Sequence, residues 1–205
     1  MKLYYSKGAC SLVVRIIINE LGLSSNYEAV DLKSKKTETG ADYLQINPKG
    51  AVPALEINPK ELLTENAVIL QYLADHHGNE QLLSKTGMER YRTLEWLNFI
   101  TTEIHKGFGP MFNPSFPQEV KEKIVIPNLE KKFSYVDSQI KNKFLMGENF
   151  TLPDAYLYVM LTWANGMKFN VKQWENLVRY FNELQKRPSI VTSLEEEGMH
   201  AKEIA

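Results

Sequence analysis

The hydrophobic pattern of this chain changes its period once, near residue 78, and that change decides what it can fold into. Before it, runs of strand period and helical period alternate. Residues 3–6 read as a strand ended by Lys7-Gly8. Leu12, Val13, Ile16, Ile17 and Leu21 then recur at helical spacing, and Gly22 closes the segment. Residues 27–32 alternate as a second strand, 33–40 are charged and read as a solvated loop, and 42–46 read as a short helical turn. Asn47-Pro48-Lys49-Gly50 is a turn signal. Residues 52–57 predict a third strand entered through Pro53, and Asn58-Pro59-Lys60 turns the chain into a hairpin partner at 61–64. A helix follows, with Ala67, Leu70 and Leu73 on one face. The order β-α-β-(α)-β-β-α predicts an α/β domain over residues 1–80.

Residues 76–87 are polar, carry two glycines and read as a linker. Beyond them only helical periods remain, so residues 87–205 predict an all-helical domain. One long helix is expected over 90–111. Leu129, Phe133, Val136 and Ile140 mark a second, which Pro127 should break or kink near its start. Residues 152–163 form a strongly apolar helix, and Trp174, Leu177, Phe181 and Leu184 mark another that stops before Pro188. The predicted fold class is therefore α/β plus all-α.

Charge and cysteine content narrow the function. The 205 residues hold 24 basic and 25 acidic side chains, net −1, which excludes a general electrostatic attraction to nucleic acid or anionic membrane. The single cysteine, Cys10, excludes an internal disulfide scaffold. No run approaches the roughly 18 apolar residues of a membrane span. Residues 1–6 lack the apolar core and cleavage site of a signal peptide, so the expected compartment is the cytoplasm.

Five constellations carry chemistry. Cys10 falls at the start of a helix, where unpaired N–H groups and the helix dipole favour thiolate; equally, it suits a small apolar residue filling a junction. Ser11 can donate to a bound sulfur or cap the helix. Val52 before Pro53 offers backbone groups to an extended peptide. Thr64-Glu65-Asn66 begins a helix, where first-turn N–H groups can hold a carboxylate and Glu65 an ammonium, or Thr64 can simply cap. Asn98, Thr102 and His105 recur at i, i+4 and i+7 and should share a face, with His105 a candidate acid or base or an ordinary hydrogen-bonded side chain. Thr151, Pro153 and Asp154 compose a capping-box variant of structural role. Adjacent His76 and His77 point apart on a helix, so no metal site is expected.

These pieces together resemble the cytosolic glutathione S-transferases, and within them the bacterial beta class. The resemblance rests on Gly8-Ala9-Cys10-Ser11-Leu12, the segment from Asn47 through Val52-Pro53 to Leu55, Leu63-Thr64-Glu65, Glu95-Trp96-Leu97-Asn98-Phe99, Glu103-Ile104-His105-Lys106-Gly107-Phe108 and Phe150-Thr151-Leu152-Pro153-Asp154-Ala155-Tyr156. It implies a thioredoxin-like first domain, a helical second domain and a homodimer. It implies that the glutathione thiolate is conjugated to hydrophobic electrophiles, with Cys10 and His105 catalytic. Glutathione is then a co-substrate, and no cofactor or metal is expected.

By matching position, the resemblance places Cys10 near the glutathione sulfur and Lys35 on the tripeptide. Val52 pairs with the cysteinyl backbone, while Glu65 and Asn66 hold the γ-glutamyl end. Asn98 reaches across the dimer, and Thr102, Glu103, Ile104 and His105 line the site. Asn66 departs from the pattern, since related sequences commonly carry serine there. A tripeptide with two carboxylates and one ammonium needs a cation, an anion and backbone pairing, which Lys35, Glu65 and Val52 supply. A helix terminus with His105 nearby predicts a Cys10 pKa below the ordinary value of about 8.5. Two alternatives remain: thiol–disulfide or peroxide chemistry through Cys10, and a non-catalytic member that binds a protein partner.

Overall fold

The crossover that a parallel strand pair requires is supplied early in the chain. In the computed structural model, which describes residues 1–167 and 169–200, β1 (Lys2–Tyr5) pairs in parallel with β2 (Asn26–Asp31) through α1 (Leu12–Glu20). Residues 12 to 18 of α1 are all buried, which explains why its apolar run is nearly continuous rather than striped. β3 (Lys36–Thr37) adds antiparallel to β2 inside the segment expected to be loop. Charge suggested a solvated loop there, yet Thr37 is buried and its hydroxyl bonds Thr39 Oγ1 at 2.9 Å. α2 (Tyr43–Ile46) follows, capped by Asp42, which accepts from the Leu44 N–H.

β4 (Ala54–Asn58) pairs antiparallel with β1, and β5 (Glu61–Thr64) with β4, so the sheet order is β3-β2-β1-β4-β5. Tyr4, Val30, Tyr43, Val52 and Ala54 form a core cluster of this unit. α3 (Asn66–His76) packs beside α1 through a buried stripe that includes Ile69, Leu70 and Leu73. This is the thioredoxin-like architecture expected of the first domain.

The chain divides into two compact units: Met1–Glu80 with the segment from Lys186, and Gln81–Gln185. In the second unit α4 (Gly87–Phe99) continues as a π-helical turn, Ile100–His105, then a 3-10 turn, Lys106–Phe108, and α5 (Gly109–Phe112). The expected single helix is therefore one helical path that changes its winding. Two causes are visible. Thr101 and Thr102 turn their hydroxyls back onto the Leu97 and Asn98 carbonyls, at 2.7 and 3.0 Å, competing with the backbone ladder. Pro110 lacks an N–H to donate one turn back.

α6 (Gln118–Val120) leads through a second π turn, Lys121–Val125, into α7 (Ile126–Gln139). Pro127 was expected to break or kink this helix, yet the helical path runs through it. The wider turn directly before Pro127 accommodates the ring and the missing donor. α8 (Leu152–Gly166) starts at a formed capping box between Thr151 and Asp154, and α9 (Glu175–Leu184) follows. Among the described residues no helix is long and apolar enough to cross a membrane.

The end of the chain differs from expectation. Pro188, read as a stop, also opens α10 (Pro188–Glu196), since proline suits a first helical turn. α10 packs on α1 in the first unit, so the expected helical domain of 87–205 does not hold its last segment. The reason is a polar clamp. Arg15 on α1 is 2% exposed, lies over the Tyr5 and Tyr27 rings, and donates to Glu196 and Glu197, both at 3.2 Å. Glu197 also accepts from the Gly8 N–H at 2.8 Å.

Candidate active site

In the first unit the candidate residues converge on the loops around the N-terminal end of α1. Gly8, at φ +67°, ends β1 in a turn that brings Cys10 and Ser11 to the start of α1. The Cys10 thiol donates to the Val52 carbonyl at 3.2 Å. The Val52–Pro53 bond is cis, and the Val52 N–H has no partner among the described residues. The turn before it is held firmly, because the Tyr43 hydroxyl and the Asn47 amide both donate to the Ala51 carbonyl, at 2.8 and 2.9 Å.

The acidity of Cys10 runs against the sequence expectation. Burial pushes the thiol up to about 11, above its ordinary value. The Asn66 side chain and the Cys10 and Ser11 backbone N–H groups pull it down without offsetting burial, and Glu65 adds to the rise. Helix-end electrostatics were expected to win. They lose because the sulfur is nearly out of water and its proton already has an acceptor. Ser11 also departs from both of its expected roles. It is fully buried, accepts from the Ser6 N–H at 3.2 Å, donates to the Ser6 carbonyl at 3.3 Å, and makes no side-chain cap.

Charged groups surround this thiol-and-backbone pair. Lys35, in the left-handed region at φ 58°, donates its Nζ to the Gly50 carbonyl at 2.7 Å. Glu65, at φ 73°, is the other non-glycine residue held in that region among the described residues, and such strain recurs at ligand clamps. Its carboxylate accepts from Lys49 Nζ at 2.7 Å, and Lys49 also reaches Thr64 Oγ1 at 2.9 Å. Sequence reasoning missed Lys49, which was read only as part of a turn. Its signal was its place as a cation inside the turn that leads directly into the Val52-Pro53 motif. Asn66, the first residue of α3, is 6% exposed.

The remaining candidates lie in the second unit. Asn98 is exposed on α4, and its carbonyl accepts from the Thr102 hydroxyl. Glu103 is exposed and ion-paired with Lys132. Ile104 is fully buried, so the fold withholds the side chain of this expected contact from any ligand. His105 is half-buried, with Nδ1 2.6 Å from the Tyr156 hydroxyl and its ring edge-on to Trp163. The expectation of one polar stripe assumed α-helical winding. The π turn from Ile100 resets that register, leaving Thr102 exposed and His105 turned onto α8.

Comparison with known proteins agrees with this architecture. Residues 1–75 match the family description "Glutathione S-transferase, N-terminal domain", and residues 99–188 match "Glutathione S-transferase, C-terminal domain". The chain is similar to the glutathione S-transferase GstA of Escherichia coli O157:H7, at 43% identity over 97% of this chain and all of that one. A sphingomonad glutathione S-transferase solved in complex with glutathione superposes with a TM-score of 0.92 at 36% identity, covering 97% of this chain and 99% of the other. A bacterial beta-class enzyme from Sphingomonas chungbukensis gives the same TM-score and identity, covering 97% of this chain and all of the other.

Proposed function

The chain belongs to the glutathione S-transferase family, and from that premise we propose how its residues divide the grip on glutathione from the chemistry. The enzyme is a glutathione transferase that takes glutathione as co-substrate. The Val52 N–H and carbonyl pair with the cysteinyl backbone. Glu65 meets the γ-glutamyl ammonium, and Lys35 and Lys49 meet carboxylates. Lys49 and Glu65 are both more than half exposed, so their ion pair is weak enough to open for the ligand. The observation that carries this reading is the Cys10 thiol on the Val52 carbonyl, beside an unpaired Val52 N–H.

Conjugation is the main activity on this reading. The bound glutathione thiol gives up its proton to water, and the thiolate attacks a hydrophobic electrophile, forming the thioether C–S bond as the leaving group departs with its bonding electron pair. Thiol–disulfide exchange through Cys10 is secondary, because a buried thiol pushed up to about 11 supplies little thiolate at neutral pH. Asn98, Thr102, Glu103 and His105 keep the glutathione-contacting roles that the resemblance implies, and His105 its catalytic role. A turnover screen with glutathione and aryl halides, peroxides or mixed disulfides tests the ranking. Aryl-halide conjugation should exceed the others, and exchange without conjugation would reverse it.

We also propose a homodimer. Met88 and Tyr91 are each 64% exposed on α4, and Tyr91 shares a helical face with Asn98, the residue expected to reach a partner copy. Sedimentation should give twice the chain mass; a stable monomer with full glutathione affinity contradicts it.

A further inference from the structure

α10 is held on α1 by a polar seam that lies wholly inside the first unit. The Arg187 Nε–H and the Ser189 hydroxyl donate to Glu20 at 2.7 and 2.6 Å, and the Asn19 amide donates to Ser193 Oγ at 2.9 Å. These bonds anchor the first two turns of α10, yet the seam continues past the end of the helix to Glu197. The Glu197 side chain is fully buried. One carboxylate oxygen accepts from the Arg15 Nε–H at 3.2 Å, and the other from the Gly8 N–H at 2.8 Å. Arg15 Nη2 is buried with no hydrogen-bond partner among the described residues, so this guanidinium stands where its own bonding is incomplete. A buried carboxylate is costly unless paired and hydrogen-bonded, and the second bond of Glu197 goes to the turn that carries Cys10.

That turn is pinned at two places. At its base the Ser11 hydroxyl is bonded to both the N–H and the carbonyl of Ser6. At its tip Glu197 takes the Gly8 N–H, Lys7 Nζ donates to the Gly198 carbonyl at 2.9 Å, and a Cβ at Gly8 would meet Met199 Sδ at 3.6 Å. We propose that Glu197 is a positioning residue for Cys10, fixing the tip of this turn from the far end of the chain and so holding the sulfur against the Val52 carbonyl. A hydrogen bond to a carboxylate is roughly twice as strong as a neutral one, so the buried bond to Gly8 is the firm tether and the exposed Lys7 contact the weaker one. The catalytic consequence rests on the reading of this corner as the glutathione site; the geometry does not.

Cys10 is the only cysteine, so alkylation by iodoacetamide reports on it alone. Its rate at fixed pH is measured in the wild type and in Glu197 and Arg187 variants, beside conjugation kinetics, glutathione calorimetry and circular dichroism. Glu197→Ala frees the turn and opens the sulfur to water and reagent. Each unit of pKa recovered from burial is about tenfold in thiolate, so alkylation should quicken about tenfold. Glu197→Asp keeps the charge beside Arg15 but falls short of Gly8; it should match the alanine variant and keeps the test open if that variant does not fold. Glu197→Gln keeps the reach and loses the charge, and Arg187→Ala loosens only the other end of the seam, so both should stay within about threefold of the wild type. In Glu197→Ala and Glu197→Asp, kcat for conjugation should fall while the Kd for glutathione stays within about threefold. Alkylation unchanged in both, or quickened as much by Glu197→Gln or Arg187→Ala, overturns the inference. Alkylation needs no glutathione, so its failure is told apart from failure of the glutathione reading, which calorimetry of the wild type decides.

Discussion

Cys10 shows how two opposed effects at one atom are decided by burial. The helix start offers N–H groups that favour thiolate, but Cys10 is 9% exposed and its thiol donates its proton to the Val52 carbonyl. The consequence for stability has a definite sign. The folded pKa, about 11, lies above the unfolded value of about 8.5, so the folded state keeps a proton that the unfolded chain gives up. This contribution is fully present below about pH 8.5 and is lost as pH rises through the folded pKa. It amounts to roughly 3 kcal/mol at most. Denaturant melts of wild type and Cys10→Ala between pH 8 and 11 should show the wild type losing stability faster; parallel curves reject the raised pKa. Much of the residue scale was legible. Cys10, Val52 and Glu65 sit in short motifs whose local backbone is specific, whereas Lys35 entered only by matching position with the family, from a segment that reads as a charged loop. The ion pair of Lys49 and the burial of Asn66 were not legible, because each is set by what the turn and α3 pack against.

Elements are decided by their ends and their prolines. The α8 capping box was legible from Thr151, Pro153 and Asp154, since an N-terminal cap is a local signal. Its reach was not. Asp154 also accepts from the Leu145 N–H at 2.9 Å and the Tyr180 hydroxyl at 2.7 Å, both distant in sequence and both buried. Asp154→Ala strands these donors at roughly 1–3 kcal/mol each and removes the cap for about 1 kcal/mol more. Calorimetric melting should show a loss of about 3–7 kcal/mol, and a loss under about 1 kcal/mol would mean that the site is wet or rebuilt. The stop before Pro188 holds, since α9 ends at Leu184, and Pro127 lies where the winding changes at the start of α7; the continuation beyond each proline was not foreseen. Proline forbids one donor, and whether that ends a helix depends on its place: Pro127 follows a π turn and Pro188 opens α10.

Across the whole chain, the change of period near residue 78 located an α/β unit and a helical one, because each packs to its own repeat. The return of α10 to α1 was invisible in the pattern. It depends on Arg15 meeting Glu197, 182 residues away, and no local spacing encodes such a pair. The same clamp reaches the Gly8 N–H, tying the loop that carries Cys10 to the far end of the chain. On the proposed division of roles, glutathione is held by Glu65, Lys35, Lys49 and the Val52 backbone, while Cys10 supplies a sulfur that is not part of the grip. Calorimetric titration of Cys10→Ala and Glu65→Ala with glutathione measures this directly. Cys10→Ala should keep its Kd within about tenfold, or 1.4 kcal/mol. Glu65→Ala, which leaves the ligand's ammonium without a partner, should lose about 30-fold or more, roughly 2 kcal/mol. Loss of binding in Cys10→Ala as severe as in Glu65→Ala would contradict the account.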